Sequence, residues 1–362
     1  MKGYFPLLYH WIRIEVFSIP GRMIALVFIA SLALIPLITQ QPHILRILII
    51  AAIFAIYAAS WDFLAGYTGQ ISFGHSLFFG GAAYMAALLN IHLKLPPSVT
   101  IPLSGIGSMI LGLVAAIPAL RLRGFYLALV TLSFPVILTG IIFIFPDLTG
   151  GELGLFGLAR LSSARILENY IVFVVMLISI LIMYKLTDTG SKIIRFGIVL
   201  QAIREDEITA RRSGINTVRY KLLAFAISGF FAGIAGGLYA HFLKIVGPST
   251  LEVFFAFQPV LWTIFGGIGT IYGGVTGVYI LYPMMELVRL HPIGDQIRGV
   301  MVALILIFTL LFMPEGITVW VRDKIEIRCQ RCKIINISIR RHCRACQAPL
   351  HLEEKRTFDG GG

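Results

Sequence analysis

Charged side chains are scarce in this chain of 362 residues. Asp, Glu, Lys and Arg make up 13% of it, about half of their share in a soluble domain. Hydrophobic residues make up 57%, and the mean hydropathy is +0.87. The 16 prolines and 36 glycines are too few and too scattered for a collagen-like or disordered chain. These figures exclude ordinary soluble domains and indicate an integral membrane protein.

Disulfides and catalytic motifs are also lacking from the main body. All four cysteines lie in the last 34 residues, so no disulfide framework supports the rest of the chain. Paired carboxylates, HExxH, GxSxG and Walker motifs are absent from the body, and GGIGTIYGG lacks the Lys-Ser/Thr ending of a phosphate loop. We therefore expect a chain that is not an enzyme and that has no nucleotide site of its own.

Long stretches without charged residues predict the membrane-spanning helices. A helical span needs roughly 20 apolar residues, and nine stretches lack Asp, Glu, Lys and Arg. One of them, Val253–Met285, is 33 residues long and rich in glycine, so we predict two short helices with a turn near Ile268–Gly273. The predicted fold class is an all-α integral membrane protein of about ten transmembrane helices. The nine stretches are Met23–Leu45, Ile47–Trp61, Phe63–Leu93, Leu95–Leu120, Gly124–Pro146, Asn169–Tyr184, Leu222–Leu243, Val253–Met285 and Gly299–Pro314.

The composition changes along the chain in a way that suggests four parts. Residues 1–22 mix charges with aromatic and short apolar pieces, which is typical of an interfacial segment. Residues 23–320 form the transmembrane domain. Residues 321–350 form a cytoplasmic module that contains all the cysteines, and residues 351–362 are expected to be disordered.

Lysine and arginine are unevenly distributed over the loops. With ten spans, both termini lie on one side, which then carries 21 of these residues against five on the other side. Because cytoplasmic loops carry the excess of basic residues, we expect a multi-pass protein of the cell membrane with both termini in the cytoplasm. The basic residues of the body are dispersed, which argues against binding of nucleic acid there.

The segment Trp61–Tyr84 departs from the pattern of plain apolar helices. Asp62 and His75 lie at or near membrane depth, where an ionisable group usually faces a cavity or a partner. Glycines between them weaken a continuous helix, which indicates a broken helix beside a solute pathway. A cytoplasmic hairpin with a buried, hydrogen-bonded histidine fits the same residues. The candidates for the translocation path are Asp62, Gln70, Ser72 and His75.

The body has one long polar loop, Thr187–Arg219. Its core predicts a cytoplasmic helix with Arg211 and Arg212 in the last turn and Gly214 as the C-cap glycine. Glu207 and Arg211 form an i, i+4 pair. Such a helix docks into the groove of a partner protein or lies on the membrane surface as a salt-bridged loop helix, and the residues alone leave both interpretations open.

Small residues recur every four positions in two places. Gly229, Gly233 and Gly237 form one series, and Gly269, Gly273 and Gly277 form the other. This spacing lets helix backbones approach closely in lipid, so we predict helix packing rather than a binding role.

The cysteines of the tail have the spacing CxxC-x10-CxxC. Four thiolates at this spacing are able to surround tetrahedral Zn²⁺ from two knuckles, and residues 334–339 predict a strand between the knuckles. A reducing cytosol argues against disulfides, while a redox dithiol or an iron–sulfur site stays an alternative. The expected zinc ligands are Cys329, Cys332, Cys343 and Cys346.

The tail is also basic, with eight Lys or Arg and two Asp or Glu between Arg322 and Arg344. A passive scaffold, contact with anionic headgroups, binding to an ATPase and binding to RNA all stay open for it.

Four motifs, taken together and in order, carry a resemblance to a known family. The segment GYTGQISFGHSLFFGGAAYMAALL closely resembles the glycine- and serine-rich part of branched-chain amino acid ABC permeases. RLRGFYLALVTLSF followed by TGGELGL resembles the M-type (LivM) subunit rather than its H-type partner. AIREDEITARRSGINTVRYKLLAFAISGFFAGIAGGLYA and FGGIGTIYGGVTG are similar to its cytoplasmic loop and its later glycine-rich helices. The resemblance extends from about Met23 to Trp320 and does not include the tail.

The resemblance implies a role and a set of partners. It implies a permease that pairs with a second, H-type membrane subunit, two cytoplasmic ATPases and an external solute-binding protein, with no cofactor in the permease body. The segment Arg204–Gly214 is then the coupling helix that sits in the ATPase groove, with Arg204, Glu205, Asp206, Glu207, Ala210 and Gly214 as its site residues. The general importer pattern places Gly six residues after Glu, whereas Glu207 lies seven residues before Gly214.

Three other interpretations compete with a branched-chain amino acid importer. Permeases for urea and short amides share most of these motifs. An ion- or proton-coupled secondary transporter could use Asp62 and His75, but the coupling helix would then have no purpose. A zinc-ribbon regulatory module anchored by a transporter-like body is the third.

Overall fold

The computed structural model describes residues 20–39, 41–122, 124–188, 195–289, 294–332 and 335–337, together with Cys343, Cys346 and Leu350. These residues fall into two compact units. Ile38–Ile317 form one unit, and the second unit combines residues before position 38 with those from Thr318 onward. The predicted interfacial segment 1–22 and the tail 351–362 lie largely or wholly outside the described residues.

The large unit and its flanks are almost entirely helical. The helices are α1 (Pro20–Ile38), α2 (Pro42–Thr68), α3 (His75–Leu93), α4 (Pro97–Ala119), α5 (Phe125–Ile144), α6 (Pro146–Thr149), α7 (Arg165–Thr187), α8 (Phe196–Glu205), α9 (Glu207–Arg212), α10 (Thr217–Leu243), α11 (Val253–Gly266), α12 (Tyr272–Arg289), α13 (Gly294–Phe312) and α14 (Ile317–Ile325).

Seven stretches of the described residues are long and apolar enough to cross a membrane. They are α2, α3, α4, α5, α7, α10 and the stretch Gly299–Ile325, which joins the end of α13 to α14 across a turn at residues 313–316. The all-α multi-pass membrane fold expected from the sequence is confirmed at this level.

Helix α2 lies at the centre of the large unit. Proline at its first position favours helix initiation, and Gly69 ends it in the left-handed conformation at φ 71°. Nearly all its residues from Ile47 to Thr68 are buried, because α7, α10, α11 and α12 pack around it. Its boundaries differ from those predicted, since Arg46 and Asp62 both lie inside this one helix. Charged residues therefore do not mark the ends of the first spans.

Helix α10 packs along α4 through the first glycine series. A Cβ atom at Gly229 would lie 2.8 Å from the carbonyl oxygen of Ser108, and one at Gly233 would lie 2.9 Å from the Cα of Gly105. The prediction of close helix packing is confirmed for this series. In the second series, Gly273 and Gly277 approach α11, whereas Gly269 lies in a turn.

Both predicted breaks are present. Residues 69–74 separate α2 from α3, and residues 267–271 separate α11 from α12. The predicted single helix of the polar loop is wrong: α8 ends at Glu205, Asp206 is extended (φ −153°, ψ 105°), and α9 begins at Glu207. The side chain of Asp206 caps α9, so a new helix starts in a new direction at this residue.

Short strands complete each unit. In the large unit, β1 (Leu155–Phe156) pairs antiparallel with β2 (Ile245–Val246), which is followed by a 3-10 helix at Pro248–Leu251. In the tail, β3 (Glu326–Arg328) pairs antiparallel with β4 (Ile335–Ile337). β4 lies where the sequence predicted a strand between the two cysteine pairs.

Candidate functional site

Asp62 binds the turn between α11 and α12. Its carboxylate accepts hydrogen bonds from the backbone N–H groups of Gly269 (2.6 Å), Thr270 (3.0 Å) and Ile271 (2.8 Å), and the residue is fully buried. A buried carboxylate that accepts three N–H bonds is well compensated for its lost hydration. We call residues 267–271 the glycine turn. Asp62 thus ties α2 to the glycine turn within this chain.

Arg204, the first residue expected in the coupling segment, reaches from α8 to the same place. Its Nη1 donates a hydrogen bond to the carbonyl oxygen of Gly66, and a Cβ atom at Gly269 would lie 3.0 Å from this nitrogen. The guanidinium therefore faces the helix bundle, although Arg204 as a whole is exposed.

Glu207 is the centre of a polar network that joins α9 to α10. It pairs with Arg211 at 3.0 Å and with Lys221 at 2.8 Å, and it accepts a hydrogen bond from the Thr217 hydroxyl at 3.3 Å. The expected i, i+4 pair with Arg211 is present. The contact with Lys221 fixes the start of α10, because Lys221 lies one turn inside that helix.

Asp206 begins α9 and Gly214 ends it. The carboxylate of Asp206 accepts from the N–H groups of Ile208 and Thr209 and from the Thr209 hydroxyl at 2.6 Å, and this hydroxyl bond lowers the pKa of Asp206. Gly214 has φ +86°, and the N–H of Gly214 and the next N–H bind carbonyl oxygens one turn back in a Schellman arrangement.

The remaining residues of the coupling segment differ in exposure. Ala210 is buried, while Glu205 is exposed beside the break between α8 and α9. Ile208 is an apolar side chain that is 52% exposed on α9. Exposed charge around one exposed aliphatic side chain suits a protein partner's groove.

His75 lies fully buried between α2 and α10. Its Nε2 is 3.2 Å from the Ser60 hydroxyl oxygen and 3.2 Å from that of Ser228. Both hydroxyls donate their own protons to carbonyl oxygens, those of Tyr57 and Ser60. Nε2 therefore carries the proton and donates it to the serines. Among the described residues, Nδ1 has no hydrogen-bond partner.

Gln70 and Ser72 lie in the break between α2 and α3, and both are buried. The Ser72 carbonyl accepts the indole N–H of Trp61 at 2.7 Å, and its hydroxyl accepts the N–H of Gly74 at 3.2 Å. The side-chain oxygen of Gln70 has no partner among the described residues. Gln70 and Ser72 thus lie in the break itself, His75 begins α3 directly after it, and Asp62 lies inside α2 before it.

A cavity of about 440 Å³ opens at the end of the bundle opposite α8 and α9. Its walls come from the end of α10, the strand β2, the 3-10 helix and the end of α5. Residues that line it include Phe143, Glu152, Tyr239, Leu243, Thr250 and Glu252.

The cysteines of the tail converge. Their four sulfur atoms lie within 4.8 Å of one another, with Cys329–Cys346 at 3.5 Å and Cys332–Cys343 at 3.4 Å. Cys329 and Cys343 are buried. The backbone N–H of Cys332 lowers the pKa of Cys329. The strands β3 and β4 bring the two cysteine pairs together, so this cluster offers four soft ligands to a metal ion.

The sequence did not reveal several partners of these residues. The sequence identified Asp62 and Arg204 as separate candidates and did not show that both lie against the glycine turn. It also missed Ser60 and Ser228, which bracket His75. A buried carboxylate needs donors, and a glycine-rich turn offers free N–H groups, but single-sequence patterns do not say which turn a given carboxylate meets.

The comparisons with known proteins agree on one family. The family model "Branched-chain amino acid transport system / permease component" matches residues 43–310. The chain is 28% identical over 305 residues to the high-affinity branched-chain amino acid transport system permease protein LivM of Salmonella typhimurium, which covers 78% of this chain and 71% of that protein.

Two further relatives are informative. The LivM protein of Escherichia coli is 27% identical over 300 residues, with 76% of this chain and 70% of that protein covered. A probable LivH permease of Methanocaldococcus jannaschii is 28% identical over 256 residues, with 65% of this chain and 79% of that protein covered. No solved structure matches the chain. The chain therefore belongs to the family of permease components of branched-chain amino acid transport systems, and it is a multi-pass membrane transport subunit, not an enzyme.

Proposed function

We propose that this chain is the M-type permease subunit of an ATP-driven importer and that it moves branched-chain amino acids across the cell membrane. The observation that carries the proposal is the family match over residues 43–310, which includes the whole bundle from α2 to most of α13. The relatives named for this transport are similar over more than two thirds of their own length.

The partners follow from the same role. The chain works with an H-type permease, two cytoplasmic ATPases and an extracytoplasmic solute-binding protein. Similarity to both LivM and LivH proteins supports a pair of related membrane subunits. The helix α9 docks into the ATPase groove, where exposed Ile208 and the surrounding charges make the contact.

We propose ten spans with both termini in the cytoplasm. Three helices of the described chain add to the seven long ones: α1, the short apolar α11, and α12. The excess of Lys and Arg supports a cytoplasmic position for α8, α9 and the tail. The 440 Å³ cavity then opens outward, where the binding protein releases its solute.

The contacts of Asp62 and His75 bear on the competing ion-coupled transporter. The carboxylate of Asp62 accepts hydrogen bonds from three backbone N–H groups, and His75 Nε2 lies between two serine hydroxyls. These contacts favour a structural role, in which Asp62 holds the glycine turn and His75 holds the start of α3, over carriage of an ion. We keep Asp62, Gln70, Ser72 and His75 as residues that border the translocation path.

We also propose that the tail holds one structural Zn²⁺ on its four cysteines. Zinc–sulfur bonds of roughly 2.3 Å in a tetrahedron require sulfur atoms about 3.8 Å apart, and the observed distances of 3.4–3.5 Å within a 4.8 Å cluster support this geometry. Zinc bound here would hold β3 and β4 together.

The zinc content of the purified chain tests this proposal. Metal analysis should find about one zinc per molecule, and the Cys343→Ser variant should bind none. A metal-free tail would favour a redox role for the cysteines.

The substrate is tested by competition for uptake. Uptake of radiolabelled leucine would be measured in cells that depend on this transporter, with an excess of unlabelled isoleucine, valine or urea added in separate samples. Isoleucine and valine should suppress the uptake, and urea should not. Suppression by urea alone, or no uptake of leucine, would favour the urea and amide permeases instead.

A further inference from the structure

We propose that Arg204 is the positioning residue through which the ATPase-docking loop controls the glycine turn between α11 and α12. The inference rests on the proposed function, because it assumes that α9 moves with an ATPase. It assigns Arg204 to a contact inside the permease, where the sequence had placed it against the ATPase. Asp62, first considered for the translocation path, is the second member of this connection.

The first step is the contact between α8 and the end of α2. The last four carbonyl groups of a helix lack partners within the helix, and Gly66 lies within the last turn of α2, which ends at Thr68. Arg204 donates to the Gly66 carbonyl oxygen. A positive charge at a helix C-terminus also stabilises the helix dipole. Arg204 therefore acts as a C-cap of α2 that is supplied by the cytoplasmic loop.

The second step is the approach that two glycines permit. A Cβ atom at Gly69 would lie 3.3 Å from the Cγ of Arg204, and a Cβ atom at Gly66 would lie 2.8 Å from the Gly269 nitrogen. Larger residues at either position would push α8 or the glycine turn away from α2. Three segments meet here with their backbones close together.

The third step is the carboxylate. Asp62 holds the N–H groups of Gly269, Thr270 and Ile271, and the Arg204 guanidinium lies against the same turn, since a Cβ atom at Gly269 would lie 3.0 Å from its Nη1. Moving Arg204 away would break its hydrogen bond to Gly66 and open the space beside Gly269. The glycine turn is thus expected to follow Arg204 when α8 moves.

The fourth step connects this cluster to the ATPase side. Only Asp206 separates α8 from α9, and Glu207 binds α9 to α10 through Lys221. A shift of α9 therefore acts on Arg204 over two residues of chain. Because the glycine turn joins α11 to α12, and α12 packs against α2 and α13, the shift reaches helices of the membrane bundle.

The test compares transport with ATP hydrolysis in the assembled complex. The full complex, reconstituted in proteoliposomes with the binding protein, would be measured for leucine uptake and for ATP hydrolysis with wild type, Arg204→Gln, Arg204→Lys, Asp62→Asn and the double variant Arg204→Gln/Asp62→Asn. Arg219→Gln is the matched control, because it removes the same charge from an exposed position at the start of α10.

We expect Arg204→Gln and Asp62→Asn each to lower the number of leucine molecules moved per ATP by about tenfold, the factor that matches loss of one charge-assisted hydrogen bond. ATP hydrolysis stays near the wild-type rate. Arg204→Lys recovers part of the ratio, since it keeps the charge and one donor. The double variant is no worse than either single variant, because the residues act as one unit. Arg219→Gln matches wild type.

Three results would overturn the inference. One is an unchanged number of leucine molecules moved per ATP in Arg204→Gln. Another is an equal fall in leucine uptake and ATP hydrolysis, which leaves this ratio unchanged. The third is failure of Arg204→Gln to assemble while Arg204→Lys shows the wild-type ratio, which would assign Arg204 to folding alone. The wild-type arm separates these results from the proposed function: without ATP-dependent leucine uptake by wild type, the function itself fails.

Discussion

Several buried polar side chains in this bundle bind main-chain groups of other segments. Ser108 donates to the carbonyl of Phe78 at 3.0 Å, and Ser228 donates to that of Ser60 at 2.7 Å. Asp62 does the same with N–H groups of the glycine turn. In a membrane an unpaired polar group is costly, so each of these side chains fixes a particular neighbour.

Asp206 offers a prediction at the scale of one residue. Its pKa is lowered by the Thr209 hydroxyl, so the carboxylate is charged at neutral pH and its stabilising effect would be lost only as the pH falls through this lowered value. Asp206→Ala removes the cap of α9 and should lower ATP-dependent uptake several-fold, because α9 frays. Asp206→Asn keeps an acceptor for the cap and should retain most of the uptake.

The two Asp206 variants would be compared for leucine uptake at equal amounts of assembled complex. If alanine and asparagine lowered the uptake equally, the charge and not the cap would be the important feature, and the account of α9 would be wrong.

His75 gives a second prediction at this scale. His75→Ala removes the group that holds Ser60 and Ser228 and opens a cavity, and we expect a loss of stability of about 1–3 kcal/mol. The melting temperature of the purified complex should fall, while the preference among leucine, isoleucine and valine stays the same. His92→Ala is the control, because His92 is exposed near the end of α3. A stable variant with a changed preference would mean that His75 contacts the substrate, which would contradict its structural role.

At the scale of elements, the glycine series on α10 gives a third prediction. Gly229→Ala places a methyl group 2.8 Å from the Ser108 carbonyl oxygen, which forces α10 and α4 apart. Gly140→Ala is the matched control on α5, where nothing lies within 4 Å of the added carbon. Alanine usually favours a helix by about 0.5–1 kcal/mol over glycine. We therefore expect a lower melting temperature for Gly229→Ala and an equal or higher one for Gly140→Ala.

Equal melting temperatures for the Gly229 and Gly140 variants would mean that α10 and α4 are less tightly packed than their backbone distances indicate.

Elements that depend on local sequence were predictable, and those that depend on burial were not. Glycines 266–274 predicted the break between α11 and α12, and Gly214 predicted the end of α9. The ends of the first spans were misplaced, because Arg46 and Asp62 lie inside α2 and are accommodated by its surroundings. The bend at Asp206 was missed since a capping aspartate inside a helical pattern also fits one continuous helix.

The sequence identified which residues belong to the candidate site, but not which residues they contact. Asp62, His75 and the Arg204–Gly214 segment stood out, because charge is rare in this chain and local spacing is informative. Their partners lie far away in sequence: 207 residues separate Asp62 from Gly269, and 153 separate His75 from Ser228. Hydrophobic periodicity carries no information on such pairs. The four cysteines were an exception, since CxxC spacing itself encodes their convergence.

At the scale of the whole molecule, the two ends of the helix bundle carry different features. In the proposed function, the end with α8, α9 and the glycine turn would face the ATPase with its charged residues. The other end carries the cavity between α10, β2 and the 3-10 helix. The central helix α2 spans between them and is buried along most of its length, so it is suited to carry a displacement from one end to the other.

The most direct measurement is leucine uptake into proteoliposomes that contain this chain, its H-type partner and the ATPases. The binding protein and ATP would each be supplied or withheld, and an ion gradient would be imposed separately. The account predicts uptake that requires both the binding protein and ATP and that ignores the gradient. Uptake driven by the gradient alone, without ATP, would contradict it.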